Sequence, residues 1–502
     1  MDLFFSFHPC HYQDKQKGKF PRTGHYIVSC ILVKAQNNVL TNGGVMMISH
    51  KLKVIEQMSE GDGLSREFEE ILIQGVSIDS RTVKPGNLFI PIIRELDGHN
   101  FVTEAIAKGA VAAFWQTDHP DPPIHLPLIF VDDCLESLQK LAKAYRKELG
   151  VKIIGVTGSN GKTTTKEMLQ SVLQTKLSVY KTEGNLNSQV GVPLTILAIN
   201  RDAEVAIIEM GMSERGHIDQ LSKITEPDIA IITMIGVAHL SSLGSKEEIA
   251  AAKLEILNGL KNGGCLFYNG DDPLLTTKLC NIQRESIETI SFGQQHFNDI
   301  TSENVVINPV GSNFSVANDK YYLPLLGGHN INNALATIAI ALKMGFSSTE
   351  INEGFRTLKL PGMRMEKIDS SLGFTVINDA WNASPDSVSA AIKTFQELTG
   401  YRKKYLVIGD MLELGEREEE YHRNIGRSLA PREINYVYTF GELSRLIALE
   451  ATKNYPAGAV KTFMDKMDLA RSIKRVITEN DVILLKASRG MQLDAIVPIL
   501  MQ

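Results

Sequence analysis

A lysine and three threonines close a glycine-rich run, Gly155-Val-Thr-Gly-Ser-Asn-Gly-Lys-Thr-Thr-Thr165, and this segment dictates a chemistry. It follows a β-branched stretch and precedes a helical one. In that order glycines turn successive backbone N–H groups toward an anion, and the start of the helix adds its positive dipole end. Lys162 is placed to neutralise β- and γ-phosphate charge, and the hydroxyl of Thr163 to ligate Mg²⁺. The common G-x-x-x-x-G-K-[ST] spacing needs a glycine at position 156, where this chain has Val156, so the standard pattern fails by one residue.

Two further side chains converge on the same place. The apolar strand Val205–Glu209 ends in a carboxylate, and the strand that runs out near Gly236 delivers His239. Carboxyl ends of parallel strands share one sheet edge, which is where ligands are held. Oxygen donors suit Mg²⁺, so Glu209 is the natural metal ligand and His239 the less usual one. Lys253 falls in a helical stretch, 246–260, among Ala250-Ala-Ala; taken alone it reads as a snorkelling surface lysine. A buried, neutral amine there would be open to carbamylation. In His329-Asn-Ile-Asn-Asn-Ala334, Asn330 either caps the helix expected over 334–344 or offers its amide to a base, and Asn333 lies one turn on.

The elements that must position these groups fall into three α/β units. Over 46–148, short apolar segments (71–76, 87–92, 111–115, 127–131) alternate with helical ones, and the turns Asp79-Ser80-Arg81 and Asp97-Gly98-His99-Asn100 bring polar groups to strand ends. Over 149–362 the β-α pattern repeats (151–156, 205–209, 228–234, 265–269), which predicts a doubly wound, mostly parallel sheet, with a small antiparallel addition over 302–326. Pro361-Gly362 punctuates the chain. Residues 363–502 form a third α/β unit with strands at 374–377, 405–408, 436–440 and 482–485. Residues 1–45 read as a disordered extension or an upstream start.

Composition narrows the partners. With 502 residues, 43% hydrophobic content and a formal net charge of −6, the chain has no electrostatic footprint for nucleic acid, which leaves small molecules as the expected substrates. No apolar run approaches the roughly 18 to 20 residues of a membrane span. Five scattered cysteines, odd in number, argue against a disulfide framework or a zinc site and point to a reducing cytoplasm.

Taken jointly, Thr157-Gly-Ser-Asn-Gly-Lys-Thr163, Glu209, His239, Lys253, Asn330, Asn333, Arg364 after Pro361-Gly362, and Asp379 resemble the Mur ligase family across nearly the whole chain. That family's loop uses this compressed T-G-x-N-G-K-T form, which accounts for Val156. Gly184-Asn-Leu-Asn-Ser-Gln-Val-Gly-Val-Pro193, Glu209-Met-Gly-Met-Ser213, Trp381-Asn-Ala-Ser-Pro385, Gly409-Asp-Met-Leu-Glu-Leu-Gly415 and Lys486-Ala-Ser-Arg-Gly490 look most like the member that adds D-alanyl-D-alanine to UDP-N-acetylmuramoyl-tripeptide. Two departures stand out: that member usually carries Tyr-Asn-Ala-Asn where this chain has Trp381 and Ser384.

The resemblance implies a three-domain fold: a UDP-substrate domain (46–148), a central ATP-binding domain (149–362) and a C-terminal, Rossmann-like ligase domain (363–502). It implies that Thr157, Gly158, Ser159, Asn160, Gly161, Lys162 and Thr163 hold ATP and that Thr163, Glu209, His239 and a carbamylated Lys253 hold Mg²⁺. Asn330 and Asn333 would lie by adenine, Arg364 by phosphate and Asp379 by the ribose. Asp79, Ser80, Arg81, Thr182, Asn185 and Asn187 would face the UDP-sugar, and Asn382 with Ala383 the dipeptide. Catalysis would rest on Lys162, His239, Lys253 and Arg364, through an acyl phosphate, in a cytoplasmic enzyme expected to be a monomer. Two alternatives stay open: a relative adding a single amino acid, and a P-loop ATPase switch that hydrolyses ATP without an amino-acid substrate.

Overall fold

The computed structural model describes residues 47–282, 286–308 and 310–502. The expected extension over 1–45 lies outside them. Three parallel sheets dominate. In the first unit Val76–Ser77, Leu88–Phe89, Ala112–Gln116 and Leu128–Val131 pair in that order, beside an antiparallel pair of Ser49–Lys51 with Leu72–Gln74.

The central sheet has seven strands, all paired in parallel, in the order Ile300–Thr301, Glu288–Gly293, Cys265–Asn269, Ile229–Ile232, Lys152–Thr157, Val205–Glu209, Val179–Lys181. Both its faces are covered, which is why Val205–Glu209 and Ile229–Ile232 are buried at every position instead of alternating. The antiparallel addition is present as Glu303–Asn308, Gly311–Val316 and Asp319–Leu323. The third unit is a six-stranded sheet, parallel except for its edge strand Glu366–Asp369.

Packing treats the units unequally. One apolar core runs without interruption from the first unit (Ile73, Phe114, Tyr145) into one face of the central sheet (Ile208, Ile232). Each such fully buried Leu or Ile contributes roughly 1.5–3 kcal/mol, so these two units are bonded as one body. The third unit keeps its own cores, on either face of its sheet. Leu326 of the centre packs against one of these cores, and polar contacts also bridge the boundary: Asn160 Nδ2 to Ser384 Oγ at 3.2 Å, Val237 N to Asp386 Oδ2 at 3.1 Å, and Ser241 N to the Glu413 carbonyl at 3.3 Å.

Arg146, at the end of the helix Cys134–Glu148, pins the first seam: its buried guanidinium donates to the carbonyls of Thr225 (2.8 Å), Leu149 (3.1 Å) and Glu226 (3.2 Å). Arg146→Ala strands those acceptors and should cost about 2–3 kcal/mol. A lowered midpoint in chemical denaturation, with the ATP site intact, checks it.

Two expected boundaries move. The helix holding Lys253 is Lys246–Leu254, tightening into a 3-10 turn Glu255–Asn258, and so it stops short of 260. The helix expected from 334 begins a turn and a half earlier, His329–Lys343, so Asn330 lies inside its first turn, donating to the Leu326 carbonyl, and does not cap it.

Candidate active site

The strand Lys152–Thr157 runs straight through Val156, which is buried in the sheet, so the loop is compressed into four residues before the helix Lys162–Leu173 begins. That is the physical meaning of the missing glycine. Two glycines are obligatory. Gly158 has φ +143° and a Cβ there would sit 1.9 Å from Thr233 Oγ1; Gly161, at φ +84°, would meet Asn333 Oδ1 at 2.4 Å. No side chain caps the helix start, leaving its first N–H groups directed at the loop's concavity. Lys162 Nζ donates to the carbonyls of Gly158 (2.7 Å) and Ser159 (3.3 Å). Burial draws its amine below the ordinary lysine range; Glu209 opposes this and Arg364 reinforces it.

Glu209 is 2% exposed at its strand's end. Its carboxylate accepts from Thr163 Oγ1 at 3.0 Å and from Asn187 Nδ2 at 2.7 Å, with Lys166 Nζ 3.6 Å away. Arg364 Nη2 reaches across from the third unit to donate to Thr163 Oγ1 at 2.9 Å. His239, with φ +62°, lies half-buried with Nδ1 2.9 Å from Glu413 Oε2. Burial and then the charge of Lys253 hold its pKa down.

Lys253 is 1% exposed, so the surface reading of that lysine is wrong. The alanines flanking it pack against the apolar core and carry it inward. Burial, then the neighbouring charge of Lys162, lowers its pKa well below the usual lysine value. Lys253 does not itself line the cleft.

A cleft of about 880 Å³ joins these groups to the third unit. Ser159, Asn160, Gly161, Lys162, Thr163, Asn185, Asn187, Glu209 and His239 line it from the centre, as do Asn330 and Asn333. Arg364, Asp379, Trp381 and Asn382 line it from across the boundary. Asn333 donates to Asn330 Oδ1 (3.0 Å) and accepts from Thr165 Oγ1 (3.3 Å), while Asn330 donates to the Leu326 carbonyl (2.8 Å). Asp379 is fixed by Met365 N at 3.1 Å and paired with Lys486 Nζ at 2.6 Å.

Other expected contacts are not brought to this cleft. Thr182 is fully buried; its hydroxyl accepts from Glu209 N at 3.0 Å, so it positions the carboxylate. Ala383 is buried behind Asn382, its carbonyl accepting from Ser488 Oγ at 3.4 Å. Asp79, Ser80 and Arg81 form a capped turn on the first unit, away from the cleft. There the Arg81 guanidinium bonds the Asp79 carboxylate and holds its pKa down to about 2, and Ser80 Oγ donates to Glu104 at 2.7 Å.

The two departures acquire roles. Ser384 caps the helix Pro385–Glu397 in a reciprocal box with Ser387 while bonding Asn160 of the phosphate loop. Trp381 lies beneath two guanidinium groups, Arg364 at 5.8 Å and Arg489 at 5.2 Å from its ring centre. Lys486 and Arg489, which line the cleft, carried no assigned role in the sequence; their only signal was the closing Lys486-Ala-Ser-Arg-Gly490 motif.

A strand–phosphate loop–helix on a seven-stranded parallel sheet, completed across a cleft by a separate α/β unit, defines a multidomain P-loop protein whose chemistry needs two units at once. Family models match in three consecutive blocks: the Mur ligase family catalytic domain over 72–146, the Mur ligase middle domain over 156–341 and the Mur ligase glutamate ligase domain over 363–489. The chain belongs to the Mur ligase family.

It is 44% identical over 454 residues to the UDP-N-acetylmuramoyl-tripeptide--D-alanyl-D-alanine ligase of Bacillus subtilis (strain 168), covering 90% of this chain and 98% of that one. Among solved structures it resembles MurF from Acinetobacter baumannii (TM-score 0.82, 28% identity, 91% of this chain and 100% of that one). MurF ligase from Thermotoga maritima in complex with ADP is also similar (TM-score 0.74, 27% identity, 85% and 97%).

Proposed function

We propose that this chain is the ATP-dependent, ADP-forming ligase that joins D-alanyl-D-alanine to UDP-N-acetylmuramoyl-tripeptide in the synthesis of peptidoglycan precursors, working in the cytoplasm as a monomer. The carrying observation is that the phosphate loop, Glu209 and His239 face Arg364, Asp379, Trp381 and Lys486 across one cleft, in a chain 44% identical to a ligase of that name. Among the described residues no helix is long and apolar enough to cross a membrane.

A carboxylate resists attack by an amine because its oxygen is a poor leaving group. Attack of that oxygen on the γ-phosphorus of ATP expels ADP and leaves an acyl phosphate; the dipeptide's neutral amine then adds to its carbonyl, and orthophosphate departs with loss of the amine proton to leave an amide. Lys162 and Arg364 stabilise charge on the transferring phosphoryl oxygens. Asp379, held by Lys486, reads the ribose; Asn330 and Asn333 stand on the adenine side; Asn185 and Asn187 serve the UDP-sugar and Asn382 the dipeptide.

The donor set suits magnesium: the buried Glu209 carboxylate and the Thr163 hydroxyl lie 3.0 Å apart at the mouth of the loop. His239, which lines the cleft, would complete it, and Lys253, buried behind the lining, would join only as its longer carbamate. Magnesium, when bound, neutralises phosphate charge. Because the acyl phosphate is open to hydrolysis, seating the third unit excludes water and aligns the reactants.

The test is phosphate release from ATP and Mg²⁺ with UDP-N-acetylmuramoyl-tripeptide, comparing D-alanyl-D-alanine with single amino acids. Release that requires the dipeptide is the expected result. Stimulation by a single amino acid alone overturns it in favour of a sister ligase, and release without any amino acceptor in favour of an ATPase switch.

A further inference from the structure

The loop 409–415 of the third unit is anchored repeatedly within its own domain. Asp410 Oδ1 accepts from Ser444 N at 2.7 Å, Met411 N donates to the buried His422 Nε2 at 3.0 Å, and Leu412 N donates to Ser488 Oγ at 2.9 Å. So fixed, the loop turns outward through Glu413, whose φ of +64° is uncommon for a residue with a side chain. It meets the central unit at a residue in the same condition, His239 with φ +62°. Two strained residues facing each other across a domain boundary signal a contact that the surrounding structure holds in place.

The contact is specific. Glu413 Oε2 lies 2.9 Å from His239 Nδ1, and the Glu413 carbonyl accepts from Ser241 N at 3.3 Å. A carboxylate beside Nδ1 selects the tautomer protonated there, leaving Nε2 with the lone pair a metal ion requires. This is the kind of orienting partner that ligating histidines ordinarily have. Here it comes from another domain, one that keeps its own core and meets the centre mainly through polar contacts, with Leu326 the central-unit apolar side chain packed against that core.

We propose that Glu413 is a positioning residue that completes the divalent-cation site by orienting His239, and that it does so only when the third domain is seated, so that cation binding and domain seating stabilise each other. The inference rests on the reading of His239 as a cation ligand. Linkage makes the coupling reciprocal: whatever seating adds to cation affinity, the cation adds to seating.

The experiment titrates Mn²⁺ into the full chain with saturating ADP, reading bound Mn²⁺ by electron paramagnetic resonance, for the wild type, Glu413→Ala, Glu413→Gln and His239→Ala. Glu413→Ala should weaken Mn²⁺ binding about tenfold or more. Glu413→Gln, whose amide oxygen still accepts from Nδ1, should recover part of that loss, and His239→Ala should weaken binding at least as much as Glu413→Ala. Small-angle scattering on the same samples should show Mn²⁺ compacting the wild type more than Glu413→Ala. Unchanged affinity in Glu413→Ala with a loss in His239→Ala overturns the positioning role alone. Unchanged affinity in His239→Ala removes the ligand reading and this inference with it.

Discussion

Lys162→Met should lower ATP-dependent ligation by about two to three orders of magnitude, the loss typical of deleting one preorganised donor that stabilises transition-state charge. The lysine amine is folded over its own loop, donating to the carbonyls of Gly158 and Ser159 at 2.7 and 3.3 Å, at the uncapped start of a 12-residue helix. A cation held there meets the developing phosphoryl charge without having to reorganise. Methionine keeps the side chain's length and most of its volume. The Glu209 carboxylate keeps Thr163 and Asn187 as partners, so no buried anion is stranded and the fold should survive. Lys162→Arg should not restore the rate, because the planar guanidinium cannot occupy an ammonium's site between two carbonyls. Steady-state phosphate release, with a thermal melt as folding control, checks both variants. Retained turnover in the folded methionine variant would remove this lysine from the chemistry.

The parts of this site that are legible in the sequence are those that local geometry settles. A β-branched run, glycines and Gly-Lys-Thr in order can form little besides a strand, a phosphate loop and a helix, and the structure supplies them with Val156 inside the strand. Glu209 and His239 were legible for a similar reason: parallel strands place their carboxyl ends on one edge, whatever joins them.

Groups whose role depends on what packs against them were not legible. Nothing in Ala250-Ala-Ala-Lys253 distinguishes a snorkelling lysine from one 1% exposed, because small residues suit either face of a helix. Asn330 looked like a cap, yet it lies inside the helix and donates to the Leu326 carbonyl, while Asn333 accepts from Thr165 of the helix that follows the phosphate loop. Thr182 looked like a substrate contact, yet its hydroxyl is spent on the backbone of Glu209. The pairing of Asp379 with Lys486 spans 107 positions, a separation that no local pattern encodes.

Lys253→Met should separate activity from stability. The lysine is enclosed by the apolar core, and burial together with the charge of Lys162 lowers its pKa well below 10.5. In the unfolded chain the amine stays protonated up to its ordinary pKa, so between the depressed folded value and 10.5 the unfolded state binds more protons. Wild-type stability in carbon-dioxide-free buffer should therefore rise with pH across that window, and fall as pH drops toward the folded pKa. Methionine has nearly the same volume and no proton to lose. The variant should be at least as stable as the wild type near neutral pH, and its stability should lose the Lys253 share of that slope, keeping what Lys162 contributes.

Turnover should behave in the opposite way. A neutral lysine amine can add carbon dioxide and release a proton to become a carbamate, which would place an anion beside Lys162 and offer the divalent cation another oxygen donor. Methionine forms no carbamate, so ligation should fall about a hundredfold or more, as for loss of a charge-stabilising group at a reacting phosphoryl. Bicarbonate should raise the wild-type rate after carbon dioxide is stripped out and leave the methionine variant unaffected. Denaturation midpoints across pH and phosphate-release rates with and without bicarbonate make the comparison. A methionine variant that loses stability while keeping its turnover would mean that the buried amine serves packing, not the reaction.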